Sequence, residues 1–427
     1  MTVNSMALPV IKLKKAAVAT QGGSCGGILT DDDIKSGVPA NFYPDIGETD
    51  RVAGWDWIGK GFAKKETTNP FTNGWLINSR PTEAGDRLRI AGGTPTDVWY
   101  AASGYAAEDW FGSGELAASG AAGSAVFEAD FEAADGIHIG DTVFLLDRTI
   151  NRWEHFEVAD LSWDGTRATV TIDGLTTNAY PTKQKAFLLG TALEPFAFAE
   201  DDYLSIRVDG KTVVTAYFDA ETTAAEVAAT INLAASGYVT ASAIGGYLHL
   251  ERDLYYYHRF FQCIGGAAAM TELGLSSAER RGSDGTVVAA ALALGDLAPS
   301  VGTVVVTSGT GGAYDDSGYP ILADEAGGVD DDFIVTWLDA THYSISGTRS
   351  GAIVTNHDMS EDCAVVHWSG VYFTIYAAGF SGTFGVGDTM TFSTVSSSKG
   401  FWVRAVGPAA CEAMDVNRSG LKVIGSV

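Results

Sequence analysis

The chain has 427 residues, too many for one compact core, and its 46% hydrophobic content excludes wholesale disorder. Glycine contributes 51 residues without a three-residue period, which excludes collagen and favours many turns between short strands. With 27 basic and 53 acidic residues the formal net charge is −26, so specific binding to DNA or RNA is not expected.

Residues 1–100 predict an extended N-terminal arm and an irregular β region. Gly, Pro, Asn and Asp clusters separate strand-like pieces, and the tryptophans show no helical period. The opening residues are not a signal peptide, because lysines follow a short apolar run. We expect residues 1–60 to reach onto neighbouring subunits, and an ordinary β domain with long loops is the alternative.

Residues 101–200 predict a β domain of short alternating strands. Asp164-Gly165 is typical of a two-residue hairpin turn. Gly-Asp precedes an alternating strand three times, at Gly85, Gly140 and Gly387. Glycine permits the bend and aspartate can bond the backbone N–H groups that follow, so we interpret the pair as a device that starts a strand.

Residues 201–285 predict a ββαββ module, the α+β part of a mainly β chain. Two strands flank Asp209-Gly210, and a helix at about 222–236 is capped by Asp219 or Thr222. Two more strands meet at Gly245-Gly246, and a helical turn covers residues 267–273.

This order of elements, with a Thr/Ala-rich helix ending in Ile-Asn and a closing Leu-Gly-Leu, resembles an insertion module of flagellins and hook-associated proteins. Similar modules occur in phage tail sheath and other tail proteins. Residues 36–54 and 384–409 are similar to the opening and the ending of structural proteins of tailed-phage virions. The resemblance implies a structural unit, and it transfers no catalytic residue.

Residues 286–427 predict a C-terminal, β-sandwich-like domain with strands beginning near Gly302, Phe333, Tyr343, Ala364 and Tyr372. The apolar run 287–294 is compatible with a short helix or a buried strand. It is the longest later apolar run, far short of the roughly 20 residues of a membrane helix.

No residue pattern indicates a reaction. The seven histidines include no i, i+4 pair, and the acidic runs 31–33, 315–316 and 330–332 lack the alternating spacing of a calcium loop. The glycine-rich stretches 22–26 and 308–312 are interpreted as loops, because neither continues into the helix of a nucleophile elbow or phosphate loop. We therefore expect no catalytic residue, no metal and no cofactor.

The sequence predicts a mainly β, multidomain chain of sandwich-like or barrel-like domains that serves as a structural subunit of a tailed-phage particle, in the tail, neck or baseplate. Its partners would be copies of itself and other virion proteins, with no membrane, and it would be made in the host cytoplasm. A capsid decoration protein is one alternative. A host-surface or glycan-binding adhesin is another, favoured by the aromatic stretch 255–261 if that stretch stacks on sugars. A glycan depolymerase has the least support.

Cys25 and Cys411 yield the first testable prediction. Cys25 lies in a Gly-rich stretch that does not bury a side chain by local packing, whereas Cys263 and Cys363 have the apolar neighbours of buried cysteines. Because a released particle meets an oxidising medium, we hypothesise an intermolecular disulfide from Cys25 to an adjacent subunit's cysteine, with Cys411 as the candidate. Non-reducing electrophoresis of intact particles should show a dimer band that reduction removes. A purely monomeric band with Cys25 fully alkylable would leave an unpaired thiol.

Overall fold

The computed structural model describes residues 10–18, 26–34, 48–80, 87–94, 110–131, 136–210, 212–253, 260–367, 370–407 and 420–426. Within these ranges strands far outnumber helices, and several sheets and a small barrel are present, so the predicted mainly β, multidomain class is confirmed. None of the helices in the described ranges has the length and apolar composition that crossing a bilayer requires.

The N-terminal elements are β1 Ile11–Val18, β2 Gly26–Asp33, α1 Glu48–Ala53, β3 Trp55–Lys65, β4 Thr72–Arg80 and β5 Arg87–Gly93. The next strands are β6 Ser113–Leu116, β7 Val126–Phe131, β8 Thr142–Asp147, β9 Arg152–Asp164, β10 Arg167–Ile172 and β11 Phe187–Leu193. The central elements are β12 Asp202–Val208, β13 Thr212–Phe218, α2 Ala224–Ala235, β14 Val239–Ile244, β15 Tyr247–Arg252, β16 Phe260–Gly265, α3 Ala267–Glu272 and β17 Arg280–Arg281.

The remaining strands follow without another α-helix in the described residues. They are β18 Thr286–Gly295, β19 Ser300–Val301, β20 Val305–Thr307, β21 Ala313–Tyr314, β22 Leu322–Ala323, β23 Asp331–Trp337, β24 His342–Gly347, β25 Gly351–Asp358, β26 Cys363–His367, β27 Gly370–Ile375, β28 Phe380–Ser381, β29 Thr389–Val395, β30 Ser398–Gly407 and β31 Gly420–Ser426. The apolar run 287–294 therefore forms a strand, one of the two structures predicted for it.

The chain divides into two compact units. Unit 1 takes its residues from 1–113, 135–137 and 290–427, and unit 2 from 114–134 and 138–289. Unit 1 thus combines both ends of the chain, which the sequence had assigned to separate segments, because strands from the two ends pair with each other.

The first sheet of unit 1 has the order β2-β1-β3-β30-β5. Strand β3 pairs with β30 without interruption from Trp55↔Gly407 to Lys64↔Ser398. The described strands of the predicted arm, β1 and β2, therefore belong to a sheet of their own chain. That residues 1–60 also reach a neighbour stays a prediction.

Buried lysines are the unexpected feature of this sheet. Lys60, Lys64 and Lys65 of β3 are all at most 4% exposed. The Lys60 ammonium lies 5.1 Å from the ring centroid of Phe62 and 5.6 Å from that of Trp402, within cation–π range. Lys65 forms an ion pair with the Glu325 carboxylate. These contacts compensate the burial of charge on β3.

Within the segment 286–427, predicted as a sandwich-like domain, the strands between Ser300 and Val395 form sheets around one core, whereas β30 and β31 pair with the N-terminal strands β3 and β4. Strands β19, β29, β23, β24 and β25 follow one another in one sheet, in which β20 also pairs with β29, and β22, β27 and β26 form another. Their shared core is aromatic: the rings of Trp337 and Phe384 stack at 3.9 Å, and those of Phe333 and Phe373 lie 4.7 Å apart. The strands predicted near Phe333, Tyr343, Ala364 and Tyr372 are confirmed.

Unit 2 contains a small barrel and the central module. Strands β6, β7, β10, β9 and β8 are consecutive, and β18 pairs with both β6 and β8, which closes the barrel.

The predicted hairpin at Asp164-Gly165 exists but is shifted by one residue. Asp164 pairs with Arg167, so the two loop residues are Gly165 and Thr166, and Gly165 alone among them has a positive φ, of 63°. That pattern is typical of a type II′ turn rather than the type I′ turn that an Asp-Gly pair favours.

The Gly-Asp pairs form the same β-bulge at the two places that the structure describes. Gly140 and Gly387 have positive φ angles of 89° and 88°. In each pair the glycine N–H donates to the carbonyl of one opposing residue, and the N–H of that same residue donates to the aspartate carbonyl. The opposing residue is Val158 for the pair at Gly140 and Trp337 for the pair at Gly387. The aspartate carboxylate accepts the N–H three residues before it, so the expected bond to the following N–H groups was wrong. The Gly85 copy lies outside the described residues.

Asp388, in the second of these bulges, organises the glycine-rich loop 308–312. Its carboxylate accepts the Gly385 N–H at 2.9 Å, the Ser308 hydroxyl at 2.5 Å, the Gly309 N–H at 3.0 Å and the Thr310 hydroxyl at 2.8 Å. The Gly385 N–H and then the Ser308 hydroxyl hold the pKa of Asp388 far below its usual range. The loop's donors are therefore directed at the protein's own carboxylate.

We predict that Asp388→Asn lowers the melting temperature at pH 7, because the amide cannot replace a fourfold-bonded anion. A carboxyl whose pKa is depressed on folding stabilises the fold above its unfolded pKa of about 4, and this stabilisation is lost as the pH falls through the folded pKa. The difference between wild type and variant should therefore shrink below about pH 4. Asp332→Asn is the control, since that exposed carboxylate accepts no hydrogen bond from the described residues. Equal melting curves for Asp388→Asn and wild type at pH 7 would contradict the assignment.

Candidate functional site in the central module

The module is built from two sheets and helix α2 around one core. Strands β11, β15 and β14 form one sheet, and β13, β12, β16 and β17 form the other. The core extends from Ala186 to Leu275, so β11, which the sequence had placed in the preceding segment, belongs to the module. The predicted ββαββ order is present between Asp202 and Arg252.

Helix α2 buries one face, formed by residues spaced as a helical stripe: Ala224, Val227, Ala228, Ile231 and Ala235. Its N-cap is Thr223 rather than the predicted Asp219 or Thr222. Thr223 and Glu226 form a capping box, in which the Thr223 hydroxyl accepts the Glu226 N–H and the Glu226 carboxylate accepts the Thr223 N–H. The position of Glu226 three residues after Thr223 is the signal that would have identified the cap.

Both predicted turns of the module are present, and one of them also links the two sheets. As predicted, Gly245-Gly246 joins β14 to β15, and both glycines have a positive φ. Asp209 turns β12 into β13, and its carboxylate accepts the Phe260 N–H and a guanidinium N–H of Arg252, each at 3.0 Å. Arg252 is 3% exposed at the end of β15, so this ion pair links one sheet to the other inside the core.

Asn232 of α2 lies beside the edge of β14 and is half-buried. Its side-chain amide donates to the Ala241 carbonyl at 2.9 Å, and its side-chain oxygen accepts the Ala241 N–H at 2.7 Å. The side chain thus takes the place that a further strand would occupy at this residue. At the other edge of the sheet, the Thr191 N–H of β11 donates to the Gly274 carbonyl. Both edges of this sheet are therefore occupied at these positions.

The outward face of the second sheet is the candidate site, and we call it the tyrosine face. It comprises the outward side chains of β12, β13, β16 and β17: Tyr203, Ser205, Arg207, Val213, Thr215, Tyr217, Phe260, Gln262, Ile264 and Arg281. None of them is acidic, in a chain with 53 acidic residues among 427. Tyr217 is 65% exposed, Val213 51% and Tyr203 41%, so large apolar groups face solvent.

The contacts within the tyrosine face hold its side chains in place. The rings of Tyr203 and Tyr217 lie 6.0 Å apart at 46°. The hydroxyls of Ser205 and Thr215 are 2.9 Å apart across the same two strands. At the far strand, the Arg281 guanidinium lies 4.6 Å from the centroid of the Phe260 ring. Tyrosine and arginine on a fixed β surface are the residues that protein interfaces use most.

Two carboxylates of the acidic run 330–332 make hydrogen bonds to the backbone. The carboxylate of Asp331 accepts the N–H groups of Arg349 and Ser350, and that of Asp330 accepts the Ser396 N–H. Among the described residues no group of three or more His, Cys, Asp or Glu side chains is arranged to hold a metal ion. Cys263 and Cys363 are buried free thiols, as predicted, and burial raises the pKa of Cys263 to about 12. Cys25 and Cys411 lie outside the described residues.

No protein-family model, curated protein or solved structure matches this chain. The assignment of a function therefore depends on the residues and geometry of the chain itself.

We predict that Asn232→Leu destabilises the module by about 1–3 kcal/mol, because it leaves the Ala241 N–H and carbonyl without their partner. Hydrogen exchange at the Ala241 amide should accelerate more than at the neighbouring amides of β14. Leu233→Ala is the matched control, since the next residue of the helix is 88% exposed and its truncation removes no core contact. Unchanged exchange at Ala241 in Asn232→Leu would show that the amide does not protect the strand edge.

Proposed function

We propose that this chain is a structural subunit of a tailed-phage particle, which acts by contacts with copies of itself and with other proteins of the particle. The observation that carries the proposal is the central module, whose polar groups secure its own turns and edges while its tyrosine face presents aromatic side chains to solvent. Such a module offers a shaped surface rather than a reactive site.

Three further observations support a structural role. The order of elements from β12 to β15 is the one on which the resemblance to flagellin-type and tail-sheath modules depends. The net charge of −26 disfavours nucleic acid as the direct partner. The carboxylates of Asp330 and Asp331, in one of the acidic runs considered as ligands, accept hydrogen bonds from backbone N–H groups.

The proposal predicts that the chain is a constituent of particles made by cells that carry its gene. Particles purified on a density gradient should contain the chain in many copies, and a high-salt wash should not remove it. Immunogold labelling should place it at one repeated position, which distinguishes tail, neck, baseplate and capsid surface. Recovery of the chain only in the soluble fraction, beside particles of otherwise complete composition, would contradict the proposal.

A further inference from the structure

We propose that the tyrosine face binds the acidic surface of a second copy of this chain, in a head-to-tail contact. The inference rests on the proposed structural role and adds the surface and the mode of association. Its basis is that exposed tyrosines and a valine of one sheet lie on a face whose strands carry two outward arginines and no outward carboxylate. The nearest described carboxylate partner is Glu279, which is paired with Arg281 beside the face.

The charge of the chain identifies the occupant. Acidic residues outnumber basic residues 53 to 27 over the whole sequence, so two copies repel each other across most of their surfaces. A face whose strands have no outward carboxylate is one where this repulsion is weaker. Arg207 is exposed between Val213 and Gln262, where it can pair with a carboxylate of the neighbouring copy.

The same charges decide how the two copies meet. Two tyrosine faces in direct contact would bring Arg207 and Arg281 of one copy near those of the other, and like charges at close range are unfavourable. A contact between the tyrosine face and an acidic surface elsewhere on the next copy avoids this. Such a contact is heterologous, so it generates a ring if the rotation closes and a filament if it does not.

The energetic centre of the contact would be Tyr217 and Val213, with Arg207 beside them. Burial of an exposed tyrosine and valine contributes apolar area, and the tyrosine hydroxyl can keep a polar partner at the rim. Arg281 is already paired with Glu279 at 2.5 Å and stacked on Phe260, so its contribution to a partner is smaller than that of Arg207.

The test uses the full chain with a photo-crosslinking amino acid, p-benzoylphenylalanine, in place of Tyr217. A mixture of isotopically light and heavy chains distinguishes contacts between copies from contacts within one copy. We expect mixed light–heavy crosslinks from position 217 to acidic peptides of the same chain. The same amino acid in place of Leu233 is the control, because that side chain is exposed on α2 of the same module but lies outside the tyrosine face. Mixed crosslinks from 233 but not from 217 would overturn the inference.

Sedimentation velocity provides the second measurement. Arg207→Glu and Tyr217→Ser should each weaken self-association at least about tenfold, and Arg207→Lys should weaken it less. Leu233→Ser should behave as wild type. A wild-type chain that stays monomeric at high micromolar concentration, or one that associates as well with Arg207→Glu and Tyr217→Ser as without them, would overturn the inference. Incorporation of Arg207→Glu into particles at the wild-type level would also overturn the inference, but it would leave the proposed structural role intact. Absence of the wild-type chain from particles would overturn the structural role itself.

Discussion

The pairing of β3 with β30 is the constraint on which unit 1 depends. It joins residues 55–64 to residues 398–407 in ten consecutive pairs, so the chain between them is a closed loop of more than 300 residues. Loop-closure entropy grows only slowly with loop length, which makes such a closure affordable at equilibrium. It is nonetheless a contact of very long range, and contacts of this kind slow folding. The bidentate pair between Arg404 and Asp56 adds a specific contact across the same two strands.

This closure explains why a strand with so many lysines can lie inside a sheet. Strand β3 has β1 on one side and β30 on the other, and its side chains are covered on both faces. The methylene stems of the lysines contribute apolar area, while the ammonium groups find rings or carboxylates. Lys14 of β1 follows the same rule: it is 5% exposed, and its ammonium lies 2.7 Å from carboxylate oxygens of both Asp33 and Glu66. The Lys14 ammonium holds the pKa of Asp33 below its usual value. The pKa of Glu66 is also lowered, because the ammonium groups of Lys12 and Lys14 together outweigh the effect of burial.

The features that the sequence predicted correctly are those determined by short segments of the chain. The helix of the module, its Gly-Gly turn and the alternating strands of the sandwich depend on neighbours within about ten residues, and all of them were correct. Errors of one residue occurred where two local signals compete, as between Thr222 and Thr223 for the cap, or between Asp164-Gly165 and Gly165-Thr166 for the hairpin. The pairing of β3 with β30 and of β11 with β15 has no local signal, because each depends on residues far away in the sequence.

The tyrosine face could not be predicted from the sequence for the same reason, because it depends on how distant strands pair. Alternation predicts that Tyr203, Arg207 and Tyr217 point away from the core, but only the register of β12 with β13 and β16 shows that they share one face. The neighbouring sheet is protected at its edges, by Asn232 on β14 and by the bond from Thr191 to Gly274, so strand addition is obstructed at those positions. An assembly that cannot extend that sheet through its edges can still use an exposed face of the module. Under the proposed structural role, an exposed face with side chains held in place is the surface that the module would supply.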